Sequence, residues 1–139
     1  MLKYLAVLLI FLNLTAVASC FGGGDEAEIR HVINSQADLI NNRDAKGFLD
    51  TLASDSKERS DNDETFKQIS SYDVKFKFED IKVTSNKDGR AVARVVVTMH
   101  MTGQDARMTV DYTLVKESKG WKVLSSDAVS TEPLTPVSK

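Results

Sequence analysis

The apolar residues of this chain change their spacing once, at Tyr72. Before that point they recur every three or four residues, the period of one helix face. After it they alternate, the period of one strand face. A chain that completes its helices before starting its strands folds as α+β, with the helices gathered against one sheet.

In the helical block, Ile29, Val32, Ile33, Ala37 and Ile40 predict a first helix over residues 25–42, with Asp25, Glu26 and Glu28 at its positive end. Asn41-Asn42-Arg43 breaks the pattern, and Asp44 is the expected N-cap of a short second helix carrying Phe48, Leu49 and Leu52. A polar stretch follows over residues 54–63. Asp61 with Glu64 predicts a capped third helix with Phe66 and Ile69 inward.

In the strand block, Val74, Phe76 and Phe78 alternate with charged residues, and Glu79-Asp80 shifts the register before Ile81 and Val83, which implies a bulge. Ala91, Ala93, Val95, Val97, Met99 and Met101 mark one face of a long strand. Met108, Val110, Tyr112 and Leu114 mark the matching face of the next. The turns Asn86-Lys87-Asp88-Gly89, Thr102-Gly103-Gln104-Asp105 and Ser118-Lys119-Gly120 are short and contain glycine, as in antiparallel hairpins. The last strand is expected over residues 121–129, with Trp121 packed into the core. The tail, residues 130–139, carries Pro133 and Pro136 with little apolar content and is expected to be disordered.

The N-terminus reads as a secretory signal: Lys3, an apolar run over residues 4–14, and small residues up to Cys20. The apolar run is short for a spanning helix, which needs about 20 residues, and Asn13 interrupts it. An uncleaved anchor and a plain signal cut after Ala16-Val17-Ala18 are the alternatives. Val17-Ala18-Ser19-Cys20 resembles the bacterial lipobox. That resemblance implies lipid on Cys20, cleavage before it, and a palmitate-bearing lipoprotein held outside the cytoplasm in the cell envelope. In Gram-negative envelopes the residue after the cysteine influences sorting, and Phe21 implies the outer membrane. Residues 20–24, rich in glycine, are expected to be the tether of a domain over residues 25–129.

Cys20 is the only cysteine, so no internal disulfide forms. Of 139 residues, loss of the first 19 leaves 120, enough for one domain. The formal net charge of −2 gives no concentrated basic face for nucleic acid.

Three helices followed by about four antiparallel strands, with Asn42-Arg43-Asp44 opening the second helix, the bend at Glu79-Asp80 and Gly120-Trp121-Lys122-Val123 opening the last strand, resemble the nuclear transport factor 2-like superfamily, or cystatin-like roll. The resemblance implies a curved sheet wrapped around a cone. Enzymes of that superfamily, such as polyketide cyclases and ketosteroid isomerases, carry a base in the cone.

Strand parity argues against such a base here. If Val95, Val97, Met99, Met108, Val110 and Tyr112 face the helices, then Lys75, Lys77, Arg94, Thr98, His100, Arg107, Thr109 and Asp111 face away as a solvated sheet surface. His100 and Asp111 are candidate neighbours on that outer face. Glu79 and Asp80 are the carboxylates of which a bulge could swing one inward. Tyr112 is the inward polar handle, and with Met99 and Met108 it forms a candidate ligand site for a small apolar molecule. Val92, Val96 and Val115 give the outer face a candidate surface for a protein partner or a second copy. His31 has no second metal ligand at helical spacing. Asp61-Asn62-Asp63 lacks the glycine and acid of a calcium loop, since Phe66 and Tyr72 stand at those positions. The expected function is a non-catalytic binding domain without metal or cofactor. An enzyme and a structural envelope component are the alternatives.

Overall fold

A computed structural model describes residues 23–134. Cys20, the lipobox, the first residues of the expected tether and the last five residues lie outside that range. Three helices, α1 (Gly23–Asn41), α2 (Ala45–Asp50) and α3 (Glu58–Ser70), precede four strands, β1 (Val74–Lys87), β2 (Arg90–Met101), β3 (Gln104–Glu117) and β4 (Gly120–Leu134). The strands form one antiparallel meander in chain order. This is the α+β architecture expected from the change of period.

Four details differ from the expectation. Helix α1 begins at Gly23, inside the stretch read as a tether, so two of its glycines are helical. Helix α3 begins at Glu58 and not near Asp61, and residues 61–63 lie within it. Its entry is stabilised by Ser56, whose Oγ accepts from the Glu58 amide at 3.3 Å. The tail pairs as far as Leu134, opposite Asp105. It is a strand despite Pro133 because β4 is an edge strand, where proline need not donate to a neighbour. Thr98 lies on the outer face by parity but is 5% exposed. Its cross-strand neighbours are Lys77 and Arg107, and long stems of that kind cover short side chains beside them.

Asp44 caps α2 as expected, its carboxylate accepting from the Gly47 amide at 2.8 Å. The turn before it puts Arg43 at a φ of 58°. From there the Arg43 guanidinium donates to the carbonyls of Ile40, Tyr72 and Val74, which locks the exit of α1 to the start of β1.

The core is the layer between α1 and the sheet. Ile29 and Ile33 are fully buried against Ala91, Ala93, Val95, Val97, Val110, Tyr112, Leu114, Trp121 and Val123. After α2, Leu52 bridges the outer edge of β4 in parallel. The Ala53 amide donates to Val123 O at 2.7 Å and the Val123 amide to Thr51 O at 2.8 Å. Gln36, 1% exposed, reaches Thr51 Oγ1 from α1 at 2.9 Å. The bridge and this bond seat the connection between α2 and α3 on the sheet edge.

The curvature comes from breaks in the register. β1 slips between Glu79 and Lys82, with Asp80 at a φ of 46°, a conformation aspartate tolerates better than most residues. β4 carries extra residues at Leu124 and Val129 relative to β3. Each bulge bends and twists its strand.

Candidate functional site

The half of the sheet beside the end of α1 borders an open cavity, the cone, of about 230 Å³. Apolar side chains dominate its wall: Ile40, Phe76, Phe78, Val97, Met108 and Val110 among them. Tyr112 and Ser126, paired across β3 and β4, supply hydroxyls. The Tyr112 ring also packs on Phe78, with centroids 6.1 Å apart. Burial pushes the Tyr112 phenol well above its ordinary value of 10.0, and the nearby Glu58 carboxylate pushes it the same way. The phenol is therefore neutral across the physiological range. It can donate a hydrogen bond to a ligand but cannot serve as a base.

Glu58 is the group that the sequence did not mark. It is the first residue of α3, and its Oε1 accepts both from the Ser126 amide at 2.9 Å and from Ser126 Oγ at 2.7 Å. On the far side of this contact, Phe48, Glu58, Asp61, Asn62, Thr65 and Ser126 line a second cavity of about 270 Å³. Ser126 thus borders both spaces. The signal for Glu58 was weak, since an acid in a polar stretch before a helix usually serves only as a first-turn charge.

The expected site residues separate. Met108 and Tyr112 line the cone. Met99 does not: it is half-buried between Phe76 and Ala106, nearer the open end of the sheet. His100 and Asp111 are not neighbours. The register places His100 opposite Asp105, where Nδ1 lies 3.0 Å from Oδ1, and Asp111 opposite Arg94. Arg94 grips Asp111 through two bonds of 2.8 and 3.0 Å, and its guanidinium holds that carboxyl below its usual range. Both pairs lie on the outer face. Glu79 is half-buried, Asp80 is exposed, and neither lines the cone. His31 is exposed on α1.

Val92, Val96 and Val115 sit half-exposed on the outer face, but each stands between polar cross-strand partners: Ser85 and Thr113, Glu79 and Thr109, Arg90 and Lys122. They are single apolar residues in a charged field.

A larger concavity, about 690 Å³, lies elsewhere, at Asp50, Arg59, Glu117 and Lys122 beside the Leu52 bridge. Several of its polar side chains are already engaged. Arg59 donates to Leu49 O and Leu52 O, Lys122 donates to Asp50 O at 2.6 Å, and Glu117 accepts from Ser54 N and Oγ. The apolar lining makes the cone the better site for an apolar ligand.

Comparison with known proteins places this geometry in a wide fold group. A protein of unknown function with a cystatin-like fold from Nostoc punctiforme superposes with a TM-score of 0.68 at 15% identity, over 84% of this chain and 98% of that one. An uncharacterised cystatin-like protein from Caulobacter vibrioides gives 0.65 at 13% identity, over 78% and 92%. A candidate scytalone dehydratase from Novosphingobium aromaticivorans gives 0.61 at 14% identity, over 82% and 93%. These likenesses establish the nuclear transport factor 2-like fold. No curated protein matches the sequence. A narrower kinship follows from the family whose sequence pattern runs from residue 31, in the middle of α1, to residue 134, where β4 ends: the chain belongs to the family of the anti-sigma-I factor RsgI9 C-terminal domain.

Proposed function

We propose that this domain is a binding module, tethered in the bacterial envelope by lipid on Cys20, which takes a small and largely apolar molecule into the cone. The carrying observation is the composition of the cavity: a wall of apolar side chains with the Tyr112 and Ser126 hydroxyls as its polar points. Ligand sites commonly combine apolar walls with a few placed polar groups. The charged side chains and the histidine of the central strands lie on the opposite face, which favours binding over turnover. The family name describes part of a regulatory protein, and such a role suits recognition better than chemistry.

The test uses two probes of similar shape, phenol and toluene, titrated into the isotope-labelled domain and followed by amide shifts. Shifts centred on Val97, Met108, Val110 and Tyr112 are expected, with Tyr112→Phe weakening phenol more than toluene. Absence of shifts in the cone at millimolar probe overturns the reading. For the tether, Cys20→Ser is expected to abolish acyl labelling and membrane fractionation.

A further inference from the structure

The polar end of the cone holds one unused donor and one unused acceptor. Tyr112 is 6% exposed, and its hydroxyl makes no hydrogen bond to any described residue. Two other unpartnered side-chain atoms, Asn62 Oδ1 and Thr98 Oγ1, are sealed from any space. The Tyr112 oxygen is not sealed in this way, and the cavity that Tyr112 lines is the cone. Its proton is therefore available to a molecule there. Ser126 is the reverse case. It stands opposite Tyr112 in the register, so the two side chains share the inner face. Its Oγ proton is committed to Glu58 Oε1 at 2.7 Å, because a carboxylate can only accept. What Ser126 Oγ has left is lone pairs.

We propose that the cone selects a small apolar alcohol or phenol, whose hydroxyl accepts from Tyr112 and donates to Ser126 Oγ. The reading rests on the cone as the ligand site and adds the functional group that its polar end takes. A hydroxyl is donor and acceptor at once. A ketone or an ether accepts from Tyr112 but brings no proton, so its lone pairs would face those of Ser126. An ammonium has no lone pair for the Tyr112 proton. A carboxylate would stand one serine hydroxyl away from the Glu58 carboxylate, and like charges repel.

The experiment titrates 1-phenylethanol, acetophenone and ethylbenzene into the isotope-labelled protein and follows the amide shifts of Val97, Met108, Val110, Tyr112 and Ser126. The probes share one skeleton and carry a hydroxyl, a carbonyl or no polar group. The hydrocarbon reports binding by the apolar wall alone. The alcohol is expected to bind about fivefold more tightly than the ketone, the worth of one hydrogen bond between neutral groups. In Ser126→Ala the alcohol is expected to fall to the level of the ketone, with hydrocarbon binding kept and the melting temperature confirming the fold. In Tyr112→Phe both oxygenated probes are expected to weaken relative to the hydrocarbon. The comparison of alcohol with ketone on the unaltered protein decides without any variant. Equal binding of the two, with cone shifts from both, overturns the proposal and leaves the cone reading standing. A preference for the alcohol that survives Ser126→Ala also overturns it. Absence of cone shifts with all three probes overturns both readings.

Discussion

Glu58 and Ser126, 68 residues apart, are joined through one carboxylate oxygen that accepts from both the amide and the hydroxyl of the serine. This clasp fixes the start of α3 to β4, and α3 also rests on α2 through the edge-on Phe48–Phe66 contact, with centroids 5.3 Å apart. Ser126→Ala keeps the amide bond and loses the hydroxyl bond. Hydrogen bonds to charged groups contribute about 1.5–3 kcal/mol. Because Glu58 and Ser126 are only half-buried, a loss of roughly 1–2 kcal/mol is expected in urea unfolding, with faster amide exchange in α3 and unchanged exchange in β2. Uniform exchange throughout would show that α3 does not depend on the clasp.

Asn41 closes α1 and acts as a missing strand. Its Nδ2 donates to Phe76 O and its Oδ1 accepts from the Phe76 amide, both at 2.8 Å. β1 is an edge strand, so these backbone groups have no strand partner on that side. Asn41→Ala leaves both unpaired, which predicts a loss of about 2–3 kcal/mol. Asn41→Asp keeps the acceptor only and is expected to fall between the two. A change below about 0.5 kcal/mol, the scale of ordinary surface substitutions, would mean that water replaces the amide without cost.

Much of this fold is legible in the sequence. The inward residues of β2, the Asp44 cap, the bulge after Glu79 and the burial of Trp121 at 2% exposure all follow from period, capping and turn chemistry. These are local rules. What escaped is non-local. The pairing of His100 with Asp105 depends on the register fixed by the Gly103 turn, where φ is 78°. The place of Glu58 depends on where β4 ends up relative to α3. Residues 130–134 look unable to pack on their own, yet they pair because β3 extends far enough to offer them an edge.

Trp121 ties to α1 the end of the sheet that carries the β1–β2 and β3–β4 turns. Its ring is buried, its Nε1 donates to Asp25 Oδ1 at 3.3 Å, and its amide donates to Glu28 Oε1 at 3.4 Å. Gly120 before it has a φ of 112°, and a side chain there would meet Glu28 Oε1 at 2.5 Å. Trp121→Ala is expected to cost about 3–5 kcal/mol, as for other large aromatic truncations. Trp121→Phe, which keeps most of the packing, is expected to cost less than half of that. Chemical denaturation of both variants checks the ratio; equal losses would assign the whole effect to the Nε1 bond.

Acid should unfold this domain partly through the same end of the molecule. Hydrogen bonds from Lys116 and Trp121 hold the Asp25 carboxyl below its ordinary 3.8, Arg94 does the same for Asp111, and the Ser54 amide and hydroxyl hold Glu117 below its ordinary 4.5. A carboxyl whose folded value is lowered binds its proton more readily in the unfolded chain. Its contribution is therefore complete above the ordinary value and is lost as pH falls through the folded one. The melting temperature is expected to hold between about pH 5 and 7 and to drop below about pH 4. Asp25→Asn removes one of the three carboxyls, so it should melt lower than the parent at pH 7 and approach it at pH 3. Melting curves across that range decide the matter. A constant gap between the two proteins from pH 7 to pH 3 would mean that the Asp25 charge contributes nothing and that Asn serves Lys116 and Trp121 no worse in acid than at neutrality.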